Sequence, residues 1–233
     1  MPITSAILLA AGYGSRLSSI APSKPLCPVA GASLLDHALQ RLHQAGMTRV
    51  IVVLGHEAGR VELHLAARPR PLAIETVRLS DWSLPNGVSA LAAAPLLDGP
   101  ALLAMCDHLV DPALYARVAQ AGAGAGLTLG IDRRLDHAWI DPDDVTRVAT
   151  RDGAIVAIGK GLAAYDCFDT GVFAVDRPFF DVLGTLHAPS ISDAVTALAV
   201  QGCAHTVNCS DIAWIDVDDP RSLAQAEAWL AAA

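Results

Sequence analysis

Residues 7–17 read I-L-L-A-A-G-Y-G-S-R-L, an apolar run that breaks into two glycines, a serine and an arginine. A buried strand that runs into glycines brings backbone N–H groups to the end of a sheet, where they can approach phosphate closely. The dinucleotide turn G-x-G-x-x-G needs a third glycine, and position 17 is Leu. It also needs an acidic residue after the second strand, where Val53-Leu54-Gly55 stands. A P-loop needs Gly-Lys-Ser or Gly-Lys-Thr, which the stretch lacks. What remains is a glycine turn followed by Arg16 and, in S-K-P-L, by Lys24. A guanidinium fork and an ammonium point charge together suit a triphosphate. Either cation alone reads better as a solvated charge beside a tight turn; the ordered set of glycines, arginine and lysine favours the phosphate site.

Outward from this stretch, apolar runs alternate with helical patterns. Ile3–Leu9 reads as a buried strand, Leu34–Ala45 as an amphipathic helix, and Arg49–Leu54 as a second strand followed by a helix over Glu57–Ala67. Leu72–Leu79, Asn86–Ala93, Ala101–Cys106 and Asp111–Gln120 continue the alternation as strand, helix, strand and helix, with Pro112 suited to a first helical turn. The later half carries strand Leu127–Ile131 and a hairpin of Val145–Thr150 with Ala154–Ile158 about Asp152-Gly153. Strand Phe173–Val175 follows, then a helix over Ala194–Val200 behind the Ser190/Asp193 capping pair, strand Ala213–Val217 and helix Ser222–Ala232. This order predicts one α/β domain over residues 1–233, three-layered and Rossmann-like. Its sheet is mostly parallel, with an antiparallel C-terminal elaboration. Residues 1–120 are expected to hold a nucleotide and 121–233 its acceptor.

Composition narrows the partners. The 233 residues are 53% hydrophobic and 17% charged, enough for a substantial core. A net charge of -8 gives no electrostatic reason to bind nucleic acid, so any phosphate site must be built locally. Cysteines 27, 106, 167, 203 and 209 form no C-x-x-C, and the N-terminus lacks a basic signal region. With no apolar run of membrane-spanning length, these features predict a cytoplasmic protein with reduced thiols.

Asp107 ends the buried run L-L-A-M-C-D-H, at the carboxyl end of a central strand where open α/β sheets bind ligands. There it could hold Mg²⁺, which favours one or two carboxylates plus phosphate oxygens. In W-I-D-V-D-D-P, strand alternation puts Asp216 and Asp218 on one face, and either could complete a metal site. Asn86-Gly87-Val88-Ser89 reads equally as a turn and as a nucleotide contact; Lys160, in I-G-K-G-L, reads as an exposed turn lysine.

The ordered set L-A-A-G-Y-G-S-R-L and S-K-P-L-C-P-V-A-G-A-S-L-L-D resembles the signature of the nucleotidyltransferases that activate sugar phosphates and alcohol phosphates. Ser23 and Ser33 stand where that family usually has proline, and neither change removes a charge. M-C-D-H, G-K-G-L, D-T-G-V-F and W-I-D-V-D-D-P are together most similar to the inositol-1-phosphate cytidylyltransferase group, often fused to a membrane CDP-alcohol transferase domain. The resemblance implies a nucleotide loop of Leu9, Ala10, Ala11, Gly12, Gly14 and Ser15, with Asn86, Gly87 and Ser89 near the base and phosphates. Arg16 and Lys24 are the implied catalytic cations, and Asp107 with Asp216 or Asp218 the Mg²⁺ ligands. Lys160, Asp169, Thr170 and His108 are the implied acceptor contacts. The implied substrates are CTP and a phosphorylated polyol, whose product would feed a membrane CDP-alcohol transferase. No membrane insertion of this chain is implied, and a homodimer is compatible with it. A molybdopterin nucleotidyltransferase, a uridylyl- or guanylyltransferase, and a non-catalytic domain on the same fold are the rival readings.

Overall fold

The computed structural model describes residues 2–232. The chain opens with β1 (Ser5–Ala10), a short ladder of β2 (Pro28–Val29) with β3 (Ala32–Ser33), then α1 (Leu34–Gln44), β4 (Arg49–Leu54), α2 (Ala58–Ala66) and β5 (Ala73–Arg78). It continues through α3 (Asn86–Ala93), β6 (Ala101–Met105), β7 (His108–Val110) and α4 (Pro112–Ala121). The second half holds β8 (Leu127–Asp132), β9 (Arg147–Arg151), β10 (Ala154–Gly159), β11 (Cys167–Val175) and α5 (Arg177–Thr185). It closes with α6 (Ile191–Val200), β12 (Ala204–Asn208), β13 (Trp214–Asp216) and α7 (Pro220–Ala232).

Nine strands form one sheet in the order β5-β4-β1-β6-β11-β8-β12-β10-β9. The first four are mutually parallel, and β11 joins antiparallel to both β6 and β8. From β1 the chain runs first to β4 on one side and later to β6 on the other. The crevice beyond the carboxyl ends of β1 and β6 is therefore the switch point where such sheets receive ligands.

Strand alternation sorts the core into two layers. Ala6, Leu8 and Ala10 pack with Leu35, Leu39, Val61 and Leu114 beneath α1, α2 and α4. Ile7 and Leu9 face the opposite way, toward Ala90, Phe179, Leu183 and Val195 of α3, α5 and α6. Strands covered on both faces must be apolar throughout, which is why β1 and β4 read as continuous hydrophobic runs. A third cluster joins Leu17 and Val29 near the glycine turn to Ile215 and Leu223 at the start of α7.

The structure bears out the α/β reading and adds to it. Arg49–Leu54 and Asn86–Ala93 carry the expected bounds, and Ser190 with Asp193 forms the capping box of α6. β7, α5 and β12 escaped the sequence reading because each is short or interrupted by Pro and Gly. β11 begins at Cys167, well before Phe173, since a bulge between Asp169 and Phe173 breaks its alternation at Gly171. The late strand leaves the main sheet to pair with β7, and it stops at Asp216. Asp218 therefore lies past the strand, and strand alternation does not set its direction.

Candidate active site

At the end of β1 the chain turns through Gly14 at φ 64°, a left-handed conformation suited to glycine. A Cβ there would come within 2.5 Å of the Lys24 Cβ, so Gly14 also makes room for the lysine stem. Lys24 is only 7% exposed. Its ammonium donates to Asp107 Oδ2 at 2.5 Å and to Asp218 Oδ1. Burial works to strip the charge from Lys24, but the negative charges of Asp107 and Asp216 outweigh it and hold its pKa above the ordinary lysine value. The same pairing keeps Asp107 ionised against the cost of burial, below the usual carboxylate range. Arg16 donates from Nη2 to Asp218 Oδ2 at 2.7 Å and to Asp144 Oδ2 at 2.5 Å. Asp218 thus braces both cations.

His108 and Asp216 are direct cross-strand partners of β7 and β13. The His108 Nδ1 lies 2.9 Å from the Thr170 carbonyl, its Nε2 3.5 Å from Asp216 and 4.0 Å from Asp107. Burial would lower its pKa, but Asp216 and Asp107 push it up to about 9. Trp214 stacks on the ring with centroids 5.8 Å apart. The Thr170 hydroxyl is fully buried and donates to the Gly130 carbonyl, so of the acceptor contacts expected at Thr170 only the backbone faces His108. Asp169 accepts from the Gly171 N–H at 2.7 Å, and burial pushes its carboxyl up to about 6.

A cavity of about 270 Å³ opens beside these groups, lined by Arg16, Lys160, Arg221 and seven aspartates, with Trp139, Met105 and Phe173 as apolar walls. One side is a strap, residues 133–146, between β8 and β9. Arg134 is held by Asp132 at 2.7 Å, Trp139 packs on Trp229 with centroids 5.7 Å apart, and Arg147 donates to the Pro142 carbonyl at 2.9 Å. The strap ends at Asp144, which pairs with both Arg16 and Lys160. Those two cations bring its carboxyl down to about 2 against the opposing effect of burial.

Arg16, Asp107, His108, Lys160, Asp169, Asp216 and Asp218 all meet at this cavity; Lys24, Leu9, Ala10 and Gly12 line a small recess next to it. Asn86 also reaches the cavity, although its side-chain oxygen accepts from the Ile191 N–H at 2.9 Å. Gly87 and Ser89 are buried and do not line the cavity; a Cβ on Gly87 would lie 2.5 Å from the Pro189 carbonyl oxygen. Sequence reading missed Asp144, Trp139 and Arg221. For Asp144 the only signal was the acidic turn D-P-D-D, whose partners lie 128 and 16 residues away.

A divalent cation fits this chemistry. Asp107, His108 and Asp216 each offer a ligand atom, all within 4.8 Å of one another. The buried Asp216 Oδ1 has no hydrogen-bond partner among the described residues, as expected of an oxygen set aside for a cation. Asp218, by contrast, is engaged by Lys24 and Arg16.

Residues 6–131 match the MobA-like NTP transferase domain. The chain is 34% identical over 229 residues to a bifunctional IPC transferase and DIPP synthase of Rubrobacter xylanophilus, covering 95% of this chain and 51% of that protein. A protein of the same name from Aquifex aeolicus is 28% identical, with 98% and 52% covered. The chain thus spans about half the length of these curated relatives. Among solved structures, the inositol-1-phosphate CTP transferase from T. maritima superposes with a TM-score of 0.83 at 23% identity, covering 95% of this chain and 92% of that one. A UDP-glucose pyrophosphorylase complexed with UDP-glucose superposes at 0.80 with 15% identity and 99% of each chain covered. Among the described residues, no helix is long and apolar enough to cross a membrane.

Proposed function

The chain belongs to the MobA-like NTP transferase family, and from that premise we propose that it transfers CMP from CTP to inositol-1-phosphate. The observation that carries the reading is the cavity joined to the glycine turn through Arg16, with Lys160 on its far side and carboxylates between. Carboxylates accept hydrogen bonds from the hydroxyls of a polyol, and Lys160 supplies charge for the acceptor's phosphate. Similarity to the Rubrobacter protein along nearly the whole chain supports the choice of acceptor.

The acceptor phosphate has a second pKa near ~6, so it brings its own nucleophilic oxygen at neutral pH and needs no general base. That oxygen attacks the α-phosphorus of CTP in line; the bond to the bridging oxygen breaks and pyrophosphate leaves. Chemistry of this kind depends on positioning and charge neutralisation. Residues Leu9, Ala10, Ala11, Gly12, Gly14 and Ser15 hold the nucleotide, with the segment of Asn86, Gly87 and Ser89 against its base and phosphates. Arg16 and Lys24 offset the charge of the departing pyrophosphate, for which each is freed as phosphate replaces its carboxylate partners. Lys160 orients the acceptor, Asp169 receives its hydroxyls, and the backbone at Thr170 fixes the ring of His108. A divalent cation, Mg²⁺ in the simplest case, held by Asp107 and Asp216, would supply Lewis-acid neutralisation of the triphosphate. Asp218 acts on the two cations by bracing them. The reaction belongs in the cytoplasm, and its CDP-alcohol product feeds a membrane CDP-alcohol transferase.

Pyrophosphate release, measured with each of four nucleoside triphosphates against inositol-1-phosphate, several sugar-1-phosphates and phosphocholine, tests the assignment. Release with CTP and inositol-1-phosphate is expected. Release confined to another pair would overturn the substrate assignment while leaving the family unaffected.

A further inference from the structure

We propose that His108 is a metal ligand, so that Asp107, His108 and Asp216 form a two-carboxylate, one-imidazole site that prefers Mn²⁺ or Co²⁺ to Mg²⁺. The proposal rests on the metal-dependent nucleotidyl-transfer reading, but not on the choice of base or acceptor.

The geometry is that of an imidazole oriented in advance. A carbonyl can only accept, so the 2.9 Å contact with the Thr170 oxygen puts the proton of the neutral ring on Nδ1. The Nε2 edge faces the carboxylates, 3.5 Å from Asp216 Oδ2 and 4.0 Å from Asp107 Oδ1, and a cation bound there takes the place of its proton. Metal-bound histidines characteristically use their second nitrogen in this way, donating to a backbone carbonyl that fixes tautomer and ring orientation. Two further features hold the ring. Trp214 stacks on it at an interplanar angle of 17°. Gly171, at φ 75°, lets the backbone of β11 come so close that a Cβ there would lie 2.4 Å from Nδ1.

The carboxylates divide their work to match. Lys24 takes Asp107 Oδ2 and Asp218 Oδ1, while Asp107 Oδ1 is the oxygen turned to the imidazole. Asp216 keeps a buried oxygen without a hydrogen-bond partner among the described residues. All-oxygen sites suit Mg²⁺; adding an imidazole nitrogen shifts preference along the divalent series toward Mn²⁺ and Co²⁺.

Pulsed electron paramagnetic resonance on the Mn²⁺-loaded protein, with and without the non-reacting analogue α,β-methylene CTP, tests this directly. Directly bonded ¹⁴N coupling is expected in the wild type and should be absent in His108→Gln, whose amide can still donate to Thr170. Mn²⁺ titration should show affinity falling by about tenfold or more in that variant, by analogy with losses in ligand shells. The affinity ratio of Mn²⁺ over Mg²⁺ should fall with it. Bound Mn²⁺ without nitrogen coupling, coupling that survives in His108→Gln, or no stoichiometric Mn²⁺ binding in either state would each overturn the proposal. The wild-type signal needs no variant to fold. Nitrogen coupling in a protein that releases no pyrophosphate from CTP and inositol-1-phosphate would overturn the substrate assignment alone.

Discussion

An ammonium shielded from water keeps its charge only beside anions, and Lys24 has two, Asp107 and Asp218. That arrangement holds a buried cation beside the glycine turn. Lys24→Ala and Asp107→Ala are expected to lower pyrophosphate release by about 100-fold or more, the scale seen when one group stabilising developing charge is removed. Both should retain wild-type circular dichroism; full activity in either would remove the charge-neutralising role. The lysine itself was legible in the sequence, because S-K-P-L follows the glycine turn at a recognisable spacing. Its partners were not equally so. Asp107 could be read from the end of a buried run, whereas the bracing role of Asp218 depends on a side chain 194 positions away.

At the scale of elements, the site is assembled from strand ends and helix starts. β1 delivers the glycine turn, β6 leads into Asp107, and β7 with β13 set His108 opposite Asp216. The parallel strands were legible because burial on both faces leaves a continuous apolar run. The C-terminal strands were harder, since the bulge in β11 and the brevity of β7 remove the periodicity that marks a strand. Asn86 and Gly87 show how one motif can serve two ends. Asn86 reaches the cavity while its side chain holds the first turn of α6, and Gly87 packs on the segment leading into that helix. Gly87→Ala should therefore destabilise the fold by about 1–3 kcal/mol, the usual cost of overpacking. A urea midpoint shifted down with unchanged slope would report this; an unchanged midpoint would show that the α3–α6 junction is looser than its contacts imply.

Across the whole molecule, one sheet carries both the glycine turn and the cavity, and the strap over residues 133–146 ties them together. Its Asp144 bridges Arg16 from the first half and Lys160 from the second. The Asp144 carboxyl titrates at about 2 in the folded protein, below about 3.9 for an unfolded aspartate. The unfolded chain thus takes up the proton first, so this contribution is fully present above pH ~4 and is lost as pH falls through 2. The side chain is about one-quarter exposed, so solvent screening limits the effect to the order of 1–2 kcal/mol. Asp144→Asn should accordingly lower the melting temperature at pH 7 and converge with wild type toward pH 2. Parallel curves across that range would contradict the bridge.

The sequence by itself determined the layered α/β architecture, the glycine turn, and the identity of the charged residues that meet there. Periodicity and local spacing act over a few residues, and those features are local. Only the tertiary structure decided which carboxylate serves which cation, that Asp218 leaves the strand while Asp216 remains on it, and that Asp144 closes the circuit between Arg16 and Lys160. The same holds for His108, adjacent to Asp107 in sequence, whose orientation is set by Thr170, Gly171 and Trp214. Charges select partners by distance and burial, and both are properties of the folded chain.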